Sequence, residues 1–193
     1  MNDKAYLKKC EKKAYKKNQQ LFGADAEYGI KLVYTRRDFN REWGSKTPRW
    51  MCACANRKTI SIFAPSVFEK QTTHKLKDFQ KMINHEINHV FYQKIMRTNK
   101  PYWLEEGIAM NSDGKRRHYK RPINLSFLFY SYNMKKFFKN SGEFYRNSYL
   151  ATKKLIKKLG IKKLIKMAYQ YSKKPTKKNY LKLLKKLTPI LAL

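Results

Sequence analysis

Cysteine is scarce in this 193-residue chain: Cys10, Cys52 and Cys54 form an odd set, and no disulfide framework is implied. Cys52 and Cys54 stand two apart in a strand-like run, where alternate residues share a face. Without a second pair, this C-x-C reads as two small core-facing hydrophobes rather than a zinc site. Glycine and proline are also few, at seven and six, while 42% of residues are hydrophobic and 15% aromatic, a composition that excludes a fibrous or disordered chain. No long apolar run occurs in the first 20 residues, which are basic and charge-dense, so neither a signal-peptide core nor a membrane span is expected there, and a cytoplasmic protein is. Acidic residues number 13 against 45 Lys and Arg, giving a formal charge of +32. That excess attracts nucleic acid or anionic lipid without a dedicated site. Lysine greatly outnumbers arginine and is scattered from Lys4 to Lys186, as a lysine-favouring composition gives, whereas groove readers use clustered arginine. The expectation is therefore non-specific nucleic-acid binding at most.

A chain of this length suits one functional unit with a real core. Residues 3 to 20 place Tyr6, Leu7, Cys10, Ala14 and Tyr15 at helical spacing among lysines, predicting a basic amphipathic helix (1–24) that flanks the domain in solvent. From Gly29, Ile30, Leu32 and Tyr34 alternate with other residues as in a strand, and 37–44 reads as a short helix ended by Gly44. The runs 50–55 and 59–63, joined across Asn56-Arg57-Lys58, predict a hairpin and hence a small antiparallel sheet, closed at Ala64-Pro65. Leu76, Phe79, Met82, Ile83, Ile87, Val90, Phe91 and Ile95 form a wide apolar stripe, predicting a buried helix over 73–97. Residues 124–138 hold an apolar and aromatic patch that includes Tyr132, Phe137 and Phe138. Helices then fit 144–159, stopped at Gly160, 161–171 and 177–187.

Within the central predicted helix stands His85-Glu86-Ile87-Asn88-His89, an H-E-x-x-H string that composition alone produces in a chain of this size on the order of once in a hundred. Residues i and i+4 share a helix face, so both imidazoles can reach one ion at Zn–N distances of roughly 2.0–2.1 Å. Glu86, one position on, points beside the metal, as suits a carboxylate that takes a proton from an activated water. A site with two histidines needs a third protein ligand and an open position. Pro101-Tyr102-Trp103-Leu104-Glu105-Glu106-Gly107-Ile108-Ala109 follows closely enough to supply it.

These two segments together resemble the gluzincin metallopeptidases, in which H-E-x-x-H is followed by a segment like W-L-x-E-G-x-A whose Glu before Gly binds zinc. Trp103, Leu104, Glu106, Gly107 and Ala109 all match. The resemblance implies one Zn2+ held by His85, His89 and Glu106, with Glu86 as general base. Glu105 is the competitor for the third ligand, but neighbouring helix positions point about 100° apart and the Glu-Gly register favours Glu106. It further implies that the strand Thr59 to Phe63 is the edge along which an extended substrate adds. In aminopeptidase N type members a tyrosine before a Leu-Gly helix end serves the oxyanion, which nominates Tyr145, fifteen residues before Gly160, with Tyr149 as the alternative. No G-A-M-E-N-like segment precedes the helix, so the likeness is to short peptidase domains of the same clan and not to aminopeptidases proper.

The expected architecture is α+β: an N-terminal lobe (25–110) with the small sheet and the H-E-x-x-H helix, a helical C-terminal lobe (111–193), and the zinc cleft between them. The expected activity is hydrolysis of a peptide or protein, with an acidic substrate favoured by the charge. Two rival readings are a basic nucleic-acid-associated protein, including a protease acting on DNA-bound proteins, and a pseudoenzyme that keeps zinc for stability. Proteases of the DNA-bound kind use a third histidine rather than a Glu-Gly segment. His74 and His118 are expected to be solvated, and Asn111 and Asp113 to be helix-end or turn residues.

Overall fold

The computed structural model describes residues 2–56, 58–98, 100–130 and 141–192; Tyr132, Phe137 and Phe138 lie outside the described residues. The fold is α+β, as expected. It divides into two compact units, 1–91 and 92–193.

The first unit begins with helix α1 (Asp3–Phe22), opened by the Asn2 side chain accepting from the Ala5 amide and ended by Gly23 in the left-handed region. Strand β1 (Gly29–Val33), helix α2 (Arg36–Trp43), strands β2 (Ala53–Ala55) and β3 (Thr59–Phe63) and the short helix α3 (Phe68–Gln71) follow. Thr35 caps α2 by accepting from the Asp38 amide, and Gly44 closes it at φ 80°, a conformation that costs a glycine least. At the hairpin turn the Asn56 side chain accepts from the amides of Lys58 and Thr59 at 2.9 and 2.7 Å, a local bond that fixes the reversal.

The sheet runs β1-β3-β2, with β2 antiparallel to β3 and β1 parallel to it. The expected sheet was antiparallel throughout; the hairpin is present, but the sheet is mixed. Between β1 and β3 the chain carries α2 and then doubles back through β2, which gives the long connection that a parallel pair needs. Strand β3 is therefore central, and Ile60, Ser61, Ile62 and Phe63 are all buried, as in a strand covered on both faces.

Helix α4 (Phe79–Met96) starts in this unit and continues past residue 91. Its Phe79, Ile83, Ile87, Val90 and Phe91 enter one core with the sheet residues and with Leu7, Cys10 and Ala14 of α1. Tyr6 of α1 meets Phe79 edge-on at 5.7 Å, and Tyr15 meets Phe91 at 5.3 Å. The N-terminal helix is thus a wall of the core rather than a solvated flank. Each buried aromatic or large aliphatic side chain on this seam contributes about 1.5–3 kcal/mol.

The second unit holds the end of α4 and helices α5 (Tyr102–Ser112), α6 (Ser126–Tyr130), α7 (Ser141–Leu159), α8 (Ile161–Ser172) and α9 (Lys177–Ala192). Helices α5, α8 and α9 each pack on α7, and α8 also packs on α9. Gly107 permits the closest of these approaches. A Cβ built there would lie 2.0 Å from Thr152 Oγ1 and 2.5 Å from the Ser148 carbonyl oxygen, so α5 and α7 meet backbone to backbone at this point. Trp103 is fully buried and donates its indole N–H to the Tyr180 hydroxyl at 3.0 Å, tying α5 to α9.

Candidate metal centre

His85 and His89 lie on α4 one turn apart, with Nε2 atoms 3.1 Å from each other and rings nearly perpendicular at 80°. Two nitrogens bound to one tetrahedral ion at about 2.0–2.1 Å would stand roughly 3.3–3.4 Å apart, so the pair is already close to the spacing of a shared ion. His89 is buried at 8% exposure and His85 is half-buried. One ligand-type atom from each of His85, His89 and Glu106 falls within 4.8 Å of the others, the arrangement the sequence reading expected for these three.

What holds the histidine face is an element that the sequence reading missed. Asn84 and Asn88 each precede a histidine by one position, and both are buried. Asn18 of α1, itself buried, donates its Nδ2 to Asn84 Oδ1 at 3.0 Å and to the Ala14 carbonyl at 2.9 Å, while its Oδ1 accepts from Asn88 Nδ2 at 2.8 Å. Three buried amides thus fix the rotation of α4 about its axis, which decides where its next face, His85 and His89, is aimed. The signal was present in the sequence: Leu7, Cys10, Ala14 and Asn18 continue one helical stripe, and a polar residue on an apolar stripe calls for a partner.

Glu86 is buried at 9% exposure, and its charge is felt on β2. The Cys54 thiol is pushed up to about 12, first by burial and then by the Glu86 carboxylate. The carboxylate therefore lies toward the β2 side of the sheet. Strand β3 pairs on both sides and offers no free edge, which corrects the expectation that Thr59 to Phe63 receives a substrate strand; on that side the outer strand is β2.

Within the second unit, three successive residues of α5 take three directions. Glu105 is buried and accepts from Gln93 Nε2 at 2.8 Å, and together with burial its charge holds the Tyr92 hydroxyl well above the ordinary tyrosine range. Gly107 faces α7. Glu106 takes the intermediate direction and, unlike Glu105, is the carboxylate grouped with the histidines. Comparison with protein-family models, with curated proteins and with solved structures gave no match.

The remaining expected residues fall into place individually. Tyr145 is half-buried on α7 with its ring 5.5 Å from Phe144. Tyr149, one turn later, is buried, with Tyr119 edge-on at 5.6 Å and Arg117 and Lys153 over its ring, the surroundings of a packing anchor. Asn111 ties α5 to α7 by donating to the carbonyls of Gly107 and Tyr149 at 2.7 and 3.1 Å, and Asp113 ends α5 and pairs with Arg117. His118 is exposed, as expected. His74 is half-buried instead, its Nε2 at 2.8 Å from the Trp50 carbonyl, where it pins the loop before β2. All three cysteines are free. Among the described residues no helix is long and apolar enough to cross a membrane.

Proposed function

We propose that the chain is a zinc-dependent peptidase of the gluzincin kind, in which His85, His89 and Glu106 hold one Zn2+ and Glu86 is the general base. The observation that carries this reading is the convergence of the three donor atoms within 4.8 Å, from the very residues that the two sequence segments nominate. The donor chemistry fits the metal: two imidazoles and one carboxylate are borderline-hard ligands suited to zinc and leave a fourth position open. Bound there, the ion would polarise a scissile carbonyl and acidify a water.

The chain's own residues supply the rest. Glu86, held in a largely dehydrated setting on the same helix as the histidines, takes the proton from the attacking water and passes it to the departing amine. Tyr145 is the tyrosine assigned to donate its hydroxyl to the oxyanion, since it is half-exposed on α7 whereas Tyr149 is enclosed by Tyr119, Arg117 and Lys153. An extended substrate would add to β2, the outer strand on the Glu86 side, rather than to β3. The free thiols suit a reducing compartment such as the cytoplasm.

The test is metal content and hydrolysis measured together on an unfolded protein substrate. The wild-type chain is expected to carry one zinc and to cleave, and Glu86→Gln to keep its zinc while losing at least a hundredfold in rate. Stoichiometric zinc with no hydrolysis by the wild-type chain would make the metal structural. Full activity in Glu86→Gln would remove the base assignment.

A further inference from the structure

The excess of positive charge is not spread evenly. Residues 92–193 contain 26 Lys and Arg against four Asp and Glu, and residues 144–193 contain no acidic side chain while holding Arg146 and 14 lysines. A chain-wide preference for lysine adds cations but does not remove anions, so composition alone does not account for this stretch. It forms most of α7 and all of α8 and α9, helices that pack on one another. Thirteen of the 14 lysines are exposed, and the other, Lys154, donates to the Leu191 carbonyl at 2.8 Å.

The basic surface also extends beyond the three helices. Arg116, Lys120 and Arg121 are exposed in the segment after α5, and Asp113 anchors that segment by pairing with Arg117 and accepting from the Lys115 amide. Tyr149 joins the two stretches: Arg117 lies over its ring at 5.6 Å and Lys153 at 5.5 Å. Three of the chain's ten arginines fall within 116–121, the clustering that a chain-wide view of the charge obscures.

We propose that this lysine-rich surface of the second unit, on which the one carboxylate of α7, Glu143, pairs with Arg146 at 3.4 Å, binds the phosphate backbone of nucleic acid without reading its sequence. The observations favour nucleic acid over an anionic membrane surface. Interfacial helices bind by burying a broad apolar face in the headgroup region. Here the apolar residues of the two last helices, among them Leu164, Ile165, Leu183, Leu184 and Leu187, are already buried in the unit, and only Tyr169 and Leu181 are exposed large hydrophobics on them. The attraction left is Coulombic, and it is strongest for the densest polyanion. Duplex DNA carries one charge per about 1.7 Å with both strands counted, so a stretch as long as α7, roughly 28 Å, holds about 16 phosphates, of which one face presents only a part. The proposal does not depend on the metal site, and its test contains no hydrolysis step.

The experiment is fluorescence anisotropy of a mixed-sequence 20-base-pair duplex titrated with the full chain between 50 and 300 mM salt. Two five-lysine variants are compared with the wild type: Lys157, Lys158, Lys162, Lys163 and Lys166→Gln on α7 and α8, and Lys8, Lys9, Lys12, Lys13 and Lys16→Gln on α1. Both remove the same charge, and glutamine matches lysine in helix propensity, so both should fold, as circular dichroism will show. Each phosphate that a variant no longer neutralises lowers the slope of log K against log salt by about 0.9. The α7–α8 set is expected to reduce that slope by about two to four and the affinity at 100 mM salt by at least tenfold, and the α1 set to reduce either far less. Equal effects of the two sets would show attraction by net charge alone and overturn the assignment to this face. Tighter binding to vesicles of mixed phosphatidylserine and phosphatidylcholine than to the duplex, at equal phosphate, would overturn the choice of partner.

Discussion

Replacing Gly107 with alanine tests the part of the structure on which Glu106 depends. In a helix interior alanine is ordinarily better than glycine by about 0.8–1.0 kcal/mol, so a helix with space at this position would be stabilised. Here the new Cβ would meet Thr152 Oγ1 at 2.0 Å, the Ser148 carbonyl oxygen at 2.5 Å and Thr152 Cβ at 2.6 Å. The side-chain hydroxyl can rotate away, but the carbonyl belongs to the backbone of α7, so relief requires α5 and α7 to separate. Overpacking of this kind costs about 1–3 kcal/mol, and a clash with backbone belongs at the upper end. Set against the propensity gain, a net loss of about 2 kcal/mol is expected, or roughly 4–8 °C in Tm for a chain of this size. Adding Thr152→Ala should recover less than half, because Ser148 O and the residue 152 Cβ stay in place. Urea unfolding and thermal melts of the single and double variants check this. A Gly107→Ala protein as stable as wild type, or more so, would refute the close approach of the two helices and with it the direction assigned to Glu106.

Glu106→Ala should lose zinc in equilibrium dialysis, whereas Glu105→Ala should retain it and instead lose about 1–3 kcal/mol of stability by stranding the Gln93 amide; the opposite pattern would mean that the register of α5 is misplaced by one residue. Alkylation of Cys54 at pH 8, followed by peptide mass mapping, should run roughly a thousandfold slower than for an ordinary thiol, because the thiolate is the reactive form and the group is pushed up to about 12. The negative charge of Glu86 disfavours that thiolate, so Glu86→Gln should lower the thiol's pKa and speed labelling, and an unchanged or slower rate would separate the two residues. Asn18→Ala should cost about 1–3 kcal/mol in urea unfolding and weaken zinc binding as well, since it removes the buried hydrogen bonds that Asn18 makes to Asn84 and Asn88; a loss under about 0.5 kcal/mol, the range of an unimportant surface change, would remove α1 from the support of the histidine face.

Most helices were legible because their punctuation is strong: Gly44 and Gly160, both at positive φ, end or separate helices where the sequence places them. The hairpin was legible for the same reason, since Asn56 closes its turn by local bonds. The pairing of β1 with β3 was not, because nothing in a five-residue strand states whether its neighbour runs with it or against it; that is settled by the path of the connection, here through α2 and β2. The N-terminal helix was misjudged on charge. Its lysines are exposed while Leu7, Cys10 and Ala14 occupy the core, and a long cationic stem can border an apolar stripe at little cost.

The candidate site divides along a similar line. Spacing alone nominates His85, Glu86 and His89, since one helix places them whatever surrounds it. Glu106 rests on more, because its neighbours each have a separate reason to be what they are: Glu105 accepts from Gln93, and Gly107 lets α7 approach. A motif that reads as one functional string is thus three structural constraints on consecutive residues, and only the middle one is grouped with the histidines. Periodicity places Asn18 on the buried stripe of α1 with Leu7, Cys10 and Ala14, but it does not say which residues answer its amide. Asn18 stands 66 and 70 residues from Asn84 and Asn88, and only the packing of α1 on α4 makes their pairing visible. The candidate ligands of such a site are therefore readable from local spacing, while the residues that aim them are set by tertiary contacts and are recovered only with the fold.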